Sequence, residues 1–206
     1  MLRYETVDAP TLELLKKLQG IDAFKELRLV GGTALALQYG HRKSVDIDLF
    51  GKLDIDAFMI NNLIADLGEV KKINDSKNIH IYTINGIKVD IVNYHYPWIG
   101  ELLKIDGLRL ADKTDIAAMK LAAISGRGTK KDLYDLYLLL QEMPLAEMLK
   151  LYQEKYKDGS LFLVLKSLVY FDDAEKDAMP QLLKKNSWNT IKKTILNAHS
   201  EYLRSI

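Results

Sequence analysis

The sequence predicts an α+β protein, with a mixed β-sheet flanked by helices in its first half and a bundle of helices in its second. Three observations lead to this fold class. Strand-like apolar runs alternate with short helical stretches up to about residue 110. A hairpin signal, Asn85-Gly86, sits between two of those runs. After about Asp112 apolar residues recur at helical spacing, with few strand signals. The expected organisation is an α/β core over residues 1-110 and a helical region over 111-206 packed on it. No linker is rich enough in Gly, Pro or Ser to separate them as freely moving bodies.

Taken in order, Pro10 opens a helix that ends near Gly20, with Leu12, Leu14, Leu15 and Leu18 as its apolar stripe. Leu27 to Val30 is a short strand running into Gly31-Gly32, after which Ala34 to Tyr39 is helical and stops at Gly40. Val45 to Phe50 is the next strand. Asp54 is the expected N-cap of a helix over Ile55 to Leu67, ended by Gly68. Ile79 to Ile84 and Ile87 to Asn93 form the hairpin. Five helices follow, over Asp112 to Ser125, Lys130 to Glu142, Pro144 to Tyr156, Leu161 to Phe171 and Ser187 to Leu203, with breaks at Gly126-Arg127-Gly128, Pro144, Asp158-Gly159 and around Pro180.

Composition narrows the class. A chain of 206 residues, 48% hydrophobic, buries a substantial core and is not a disordered polymer. The net charge of +1 neither demands nor excludes a nucleic-acid partner, although Arg127, Lys130 and Lys131, and then Lys184, Lys185, Lys192 and Lys193, form local basic clusters. With no cysteine there is no disulfide framework and no thiolate chemistry. Neither a signal peptide nor a transmembrane span is expected, so the expected location is the cytoplasm, with no membrane partner. His41, His80, His95 and His199 lack ligand spacing, so a zinc site is not expected. Tyr134, Tyr137, Tyr152, Tyr156 and Tyr170 read as core or interface residues of the helical half rather than as stacking platforms.

The chemistry-bearing residues fall in three groups. In Val45-Asp46-Ile47-Asp48-Leu49 the two carboxylates leave one strand face while the aliphatics bury the other. Two hard oxygen donors on a rigid strand suit Mg²⁺, which takes one or two carboxylates plus substrate phosphate oxygens. Asp90 interrupts the aliphatic strand Ile87 to Asn93 and falls opposite Ile81 in the hairpin. It either completes a metal site with Asp46 and Asp48, or pairs locally with Lys88 or meets water at a sheet edge.

Upstream, Gly31 and Gly32 permit positive φ and close backbone approach, and Thr33 can cap the following helix while offering its hydroxyl to a phosphate. Ser44 shares the strand parity of Asp46 and Asp48, and either reaches a phosphate or satisfies a strand end. The third group is Lys120, Arg127, Asp132 and Asp135: Lys120 as a point cation and Arg127 as a bidentate donor could offset triphosphate charge. The alternative is an interhelical salt-bridge set, with Lys131 pairing Asp135 at i,i+4.

Gly31-Gly32-Thr33, then Ser44-Val45-Asp46-Ile47-Asp48-Leu49, then Lys120, Arg127 and Lys131-Asp132-Leu133-Tyr134-Asp135-Leu136 together resemble the AbiEii/AbiGii toxin family of nucleotidyltransferases, within the DNA polymerase β-like nucleotidyltransferase superfamily. The likeness covers roughly Leu27 to Leu140, and the Lys-Asp-x-x-Asp-Leu block narrows it to the family. It implies a nucleotidyltransferase-like mixed sheet and Mg²⁺-dependent transfer of an NMP from an NTP to a hydroxyl, with two ions expected and Mn²⁺ as a substitute. It also implies an RNA acceptor such as tRNA and a genetically linked antitoxin of a type IV pair, for which direct binding is not required.

By position, Asp46 and Asp48 would be metal ligands, with Asp90 added from the superfamily's usual third carboxylate. Gly31, Gly32, Thr33, Ser44, Lys120 and Arg127 would meet the nucleotide. Lys120 and Asp132 or Asp135 would match the family's functional lysine and its last aspartate. Two other functions remain open: transfer onto a small molecule such as an aminoglycoside, and a nucleotide-binding module without turnover.

Overall fold

The computed structural model describes residues 1–206. Contacts divide the chain into two compact units, one of residues 1–95 and 101–111 and the other of residues 96–100 and 112–206. No helix is long and apolar enough to cross a membrane.

The first unit is built on a seven-stranded mixed sheet in the order β3-β4-β5-β2-β1-β7-β6. Its strands are β1 (Arg28–Leu29), β2 (Ile47–Gly51), β3 (Val70–Asp75), β4 (Ile79–Ile84), β5 (Ile87–Asn93), β6 (Leu103–Ile105) and β7 (Leu108–Leu110). β2 pairs parallel with β5 and antiparallel with β1, so the second strand of the hairpin lies beside the strand that carries Asp48. Asn85 at φ 52° and Gly86 at φ 80° form the left-handed turn that the dipeptide predicts. Asp106 and Gly107, at φ 53° and 80°, repeat that turn between β6 and β7. This Asp-Gly signal lies in the sequence, but the hairpin it makes was not among those expected.

Helices α1 (Ala9–Gln19), α2 (Gly31–Tyr39) and α3 (Ala57–Ile64) belong to this unit. α1 is capped by Asp8, whose carboxylate accepts the Thr11 amide, and it buries Leu14, Leu15 and Leu18. Gly40 ends α2 in the left-handed conformation. For α3 the expectation needs correction. The cap is Asp56, which accepts the Met59 amide, while Asp54 lies further out in an ion pair with Lys52; residues 65–67 form a 3₁₀ turn rather than a continuation of the helix.

Arg109 in β7 ties the end of α1 to the sheet. Its guanidinium donates to the carbonyls of Gln19 (2.8 Å), Phe24 (3.2 Å) and Leu27 (3.3 Å). The Gln19 side chain answers by bonding both the amide and the carbonyl of Arg109 at 2.8 Å, as a neighbouring strand would.

The second unit holds α4 (Lys113–Gly126), α5 (Lys130–Leu139), α6 (Leu145–Lys155), α7 (Leu161–Leu168), the short α8 (Asp172–Glu175) and α9 (Trp188–Arg204). Side-chain caps start four of them: Asp112 for α4, Thr129 for α5, Ser160 for α7 and Ser187 for α9. α4 packs on α5, α6 and α7, and α9 on the same three, around Ile116, Leu121, Leu136, Met148, Val164, Leu168, Ile191 and Ile195.

Candidate active site

In the first unit Asp48 and Asp90 sit where the sheet alternation puts them, whereas β2 begins at Ile47 rather than at the expected Val45, so that Asp46 immediately precedes the strand and Val45 is exposed instead of buried with the other aliphatics. Ile47 and Leu49 of β2, and Val89 and Ile91 of β5, are fully buried; Asp46, Asp48 and Asp90 between them are half-buried. Asp48 pairs in register with Asp90, and Asp90 in turn with Ile81 across the hairpin. Asp48 and Asp90 therefore leave adjacent strands on one face of the sheet.

The glycine turn meets this face from the start of α2. Gly31 has φ +68°, and a Cβ on it would stand 2.5 Å from Asp48 Oδ2. Only a residue without a side chain lets the first turn of α2 approach the Asp48 carboxylate so closely. Thr33 does not cap α2: the N-cap is Val30, and no side chain bonds there. Its buried hydroxyl is turned toward the strand, where it bonds Ser44 Oγ at 2.8 Å and the carbonyl of Asp46. Thr33 and Ser44 thus fasten the backbone of Asp46 to α2. Here Ser44 satisfies the strand approach rather than standing in the open.

For a divalent ion, the donor chemistry of Asp46 and Asp48 fits: hard oxygens, two residues apart, Asp48 on β2 abutted by a glycine that a Cβ would fill, and Asp46 just before it on a segment fixed by Thr33. Asp90 is differently engaged, with Lys88 Nζ 2.6 Å from each of its carboxylate oxygens. No group of three His, Cys, Asp or Glu side chains is arranged to hold an ion.

In the second unit Lys120, Arg127, Asp132 and Asp135 come together. Lys120 on α4 is buried and its Nζ lies 3.0 Å from Asp132 Oδ1 and 2.7 Å from Asp135 Oδ2, both on α5. Arg127 grips Asp132 with two donors, Nε at 2.9 Å and an amino nitrogen at 3.2 Å, and the Thr129 hydroxyl adds a bond at 2.5 Å. The arrangement is an interhelical ion-pair set, as the alternative for these residues foresaw, but with Asp135 included through Lys120 of the neighbouring helix rather than assigned to Lys131. The aspartates sit in the first and second turns of α5, and the Arg127 guanidinium remains on the surface.

Burial by itself pushes the Asp132 carboxyl up, but the charges of Lys120 and Arg127, with the bonds from Arg127 and Thr129, hold it well below the usual carboxylate range. Its folded value is below its unfolded one, so the stabilisation is fully present above the ordinary value of 3.8 and is lost as pH falls through the folded value. The stability advantage of the wild type over Asp132→Asn, measured by urea unfolding, is therefore expected to be full at about pH 5 and to shrink steadily toward about pH 2. A difference that stayed constant over this range would show that Asp132 is not held ionised by its partners.

A contact that sequence reasoning missed lies in the same unit. Lys155, at the end of α6, pairs with Asp115 of α4 at 2.6 Å, with neither side chain exposed. The two residues are 40 positions apart and no local pattern joins them.

The family model described as Nucleotidyl transferase AbiEii toxin, Type IV TA system, matches residues 13–204. An uncharacterised protein of Aquifex aeolicus (strain VF5), aq_aa25, is 35% identical over 199 residues, covering 94% of this chain and 96% of its own. Two solved structures share the fold. MenT4, nucleotidyltransferase toxin Rv2826c from Mycobacterium tuberculosis H37Rv, has a TM-score of 0.63 at 14% identity, covering 94% of this chain and 85% of that one. JHP933 from Helicobacter pylori has a TM-score of 0.56 at 20% identity, covering 97% and 96%.

Proposed function

The chain belongs to the AbiEii family of nucleotidyl transferase toxins of type IV toxin–antitoxin systems, and from that premise we propose that it transfers an NMP from an NTP to a hydroxyl of an RNA such as tRNA, with a divalent metal ion held by Asp46 and Asp48. In that reaction the acceptor oxygen bonds to the α-phosphorus, the bond from that phosphorus to the bridging oxygen breaks, and pyrophosphate leaves with the bonding electrons. The hydroxyl proton passes to solvent or to a carboxylate of the same face. When bound, Mg²⁺ neutralises phosphate charge and lowers the pKa of the attacking hydroxyl.

The observation that carries the reading is the close approach of Gly31 to Asp48, which sets the first turn of a helix against the carboxylate strand. Free amides at such a turn bind phosphate oxygens, and the adjacent carboxylates hold the counter-ion. The rest of the apparatus is positioning: Thr33 fixes the Asp46 backbone, and Gly31 brings the first turn of α2 against the Asp48 carboxylate. Within the helical unit, Lys120 and Arg127 are held in their ion-pair cluster by Asp132 and Asp135. A genetically linked antitoxin is the expected partner.

The test is incubation with each α-labelled NTP, Mg²⁺ and total RNA, beside a panel of aminoglycosides. Label in a discrete RNA species, lost when Mg²⁺ is chelated, is the expected result. Label in an aminoglycoside would reassign the acceptor, and NTP binding without transfer to anything would replace the enzyme by a binding module.

A further inference from the structure

Lys88 lies on the carboxylate face itself. It is two residues before Asp90 on β5, so both side chains leave the sheet on the side from which Asp48, the in-register neighbour of Asp90, also projects. Asp46 precedes the first paired residue of β2 by one position and Lys88 precedes that residue's partner, Val89, by one. The lysine thus shares the sheet face of Asp48 and Asp90, one position before the β2–β5 pairing begins, as Asp46 is on the neighbouring segment. Its ammonium stands 2.6 Å from both oxygens of Asp90, the position from which a cation bridges a carboxylate.

Resting on the reading of Asp46 and Asp48 as the ion ligands, we propose that Lys88 is a built-in cation that takes the place of a second divalent ion, so that this protein works with one. Three carboxylates and a triphosphate call for more positive charge than one divalent ion supplies, and a lysine fixed on the face provides part of it without a second ion. Conversely, an ion reaching for Asp90 would have to displace the ammonium and then sit beside it, against like-charge repulsion in a half-buried site. Asp90 is then a positioning residue that orients Lys88, and the ion rests on Asp46 and Asp48.

Counting Mn²⁺ tests this without reference to turnover. Wild type, Lys88→Gln, Lys88→Arg and Asp90→Asn are each saturated with an α,β-methylene NTP and titrated with Mn²⁺, followed by electron paramagnetic resonance. Lys88 is a partly exposed strand residue, and melting curves verify that each variant is folded. The expected result is one bound Mn²⁺ per chain in wild type, in Lys88→Arg and in Asp90→Asn, and two, with the spectrum of a coupled pair, in Lys88→Gln. Two ions in wild type, one ion in folded Lys88→Gln, or loss of the single ion in folded Asp90→Asn would each overturn the assignment of Lys88 while leaving Asp46 and Asp48 as ligands. No ion in any of the four would overturn the reading of Asp46 and Asp48, and this inference with it.

Discussion

Replacing Asp46 and Asp48 together by asparagine is expected to lower nucleotidyl transfer by at least about 10³-fold, the scale on which preorganised electrostatic groups are lost. The fold should survive. Both side chains are half-buried on a sheet face whose opposite face carries the core residues Ile47 and Leu49. The Thr33 bond that fixes this segment goes to the Asp46 carbonyl, which the substitution leaves in place. Asparagine keeps the shape that Gly31 abuts while removing the charge.

Because both side chains are half-buried and leave the core face of the sheet untouched, the double variant should melt within about 4 °C of the wild type. Retained stability beside a lost activity marks a site whose charges serve the ligand rather than the fold. Transfer persisting at more than about a tenth of the wild-type rate would remove both aspartates from the reaction. Lost transfer with a melting point far below wild type would mean that the carboxylates hold the sheet together.

What the sequence made legible was whatever is written locally. The hairpin over Ile79–Ile84 and Ile87–Asn93 was readable because Asn85-Gly86 specifies a left-handed turn and the flanking residues alternate. The pairing of Ile81 with Asp90 follows from that turn alone. The five main C-terminal helices were readable from periodicity and caps such as Asp112, Thr129 and Ser187.

β3 was not, because Val70–Asp75 is an exposed edge strand, paired along one edge only, with a register shift between Lys72 and Asn74 and no alternation of buried and exposed residues. The three-residue β6 and β7 are too short for periodicity to speak, although Asp106-Gly107 marks their turn. In the candidate site, the side of the sheet on which Asp48 and Asp90 stand was legible from alternation, whereas the start of β2 at Ile47, which leaves Asp46 before the strand and Val45 exposed, was not. What their neighbours do was not. That Thr33 serves the Asp46 carbonyl, that Gly31 lies against Asp48 and that Lys88 spans both oxygens of Asp90 are consequences of strand order and helix approach, which only the folded chain specifies.

The second large effect lies in the Lys155 cluster and concerns stability. Lys155→Met is expected to cost about 3–5 kcal/mol, the scale for breaking a buried pair by removing one partner. The wild-type site is fully satisfied. Lys155 Nζ donates to Asp115 Oδ1 at 2.6 Å and to the Pro97 carbonyl at 2.7 Å, and it lies 4.7 Å from the centre of the Trp98 ring. Asp115 also accepts the amides of Ile99 (3.0 Å) and Gly100 (2.9 Å).

Methionine fills the volume of the lysine stem but leaves the carboxylate with two amide donors and no counter-charge, and leaves the Pro97 carbonyl without this donor. In a chain of this length the loss corresponds to a fall in melting temperature of about 6–20 °C. Adding Asp115→Asn removes the orphaned charge while keeping an acceptor for the amides, so the double variant should be more stable than Lys155→Met alone. That sign of coupling separates charge burial from simple loss of packing, which would make the two changes additive. The cluster holds residues 96–100, the stretch between β5 and β6, within the helical unit. Limited proteolysis of Lys155→Met should therefore open first at Tyr96–Gly100. A variant that melted within about 2 °C of wild type, with this segment still protected, would show that the pair is dispensable.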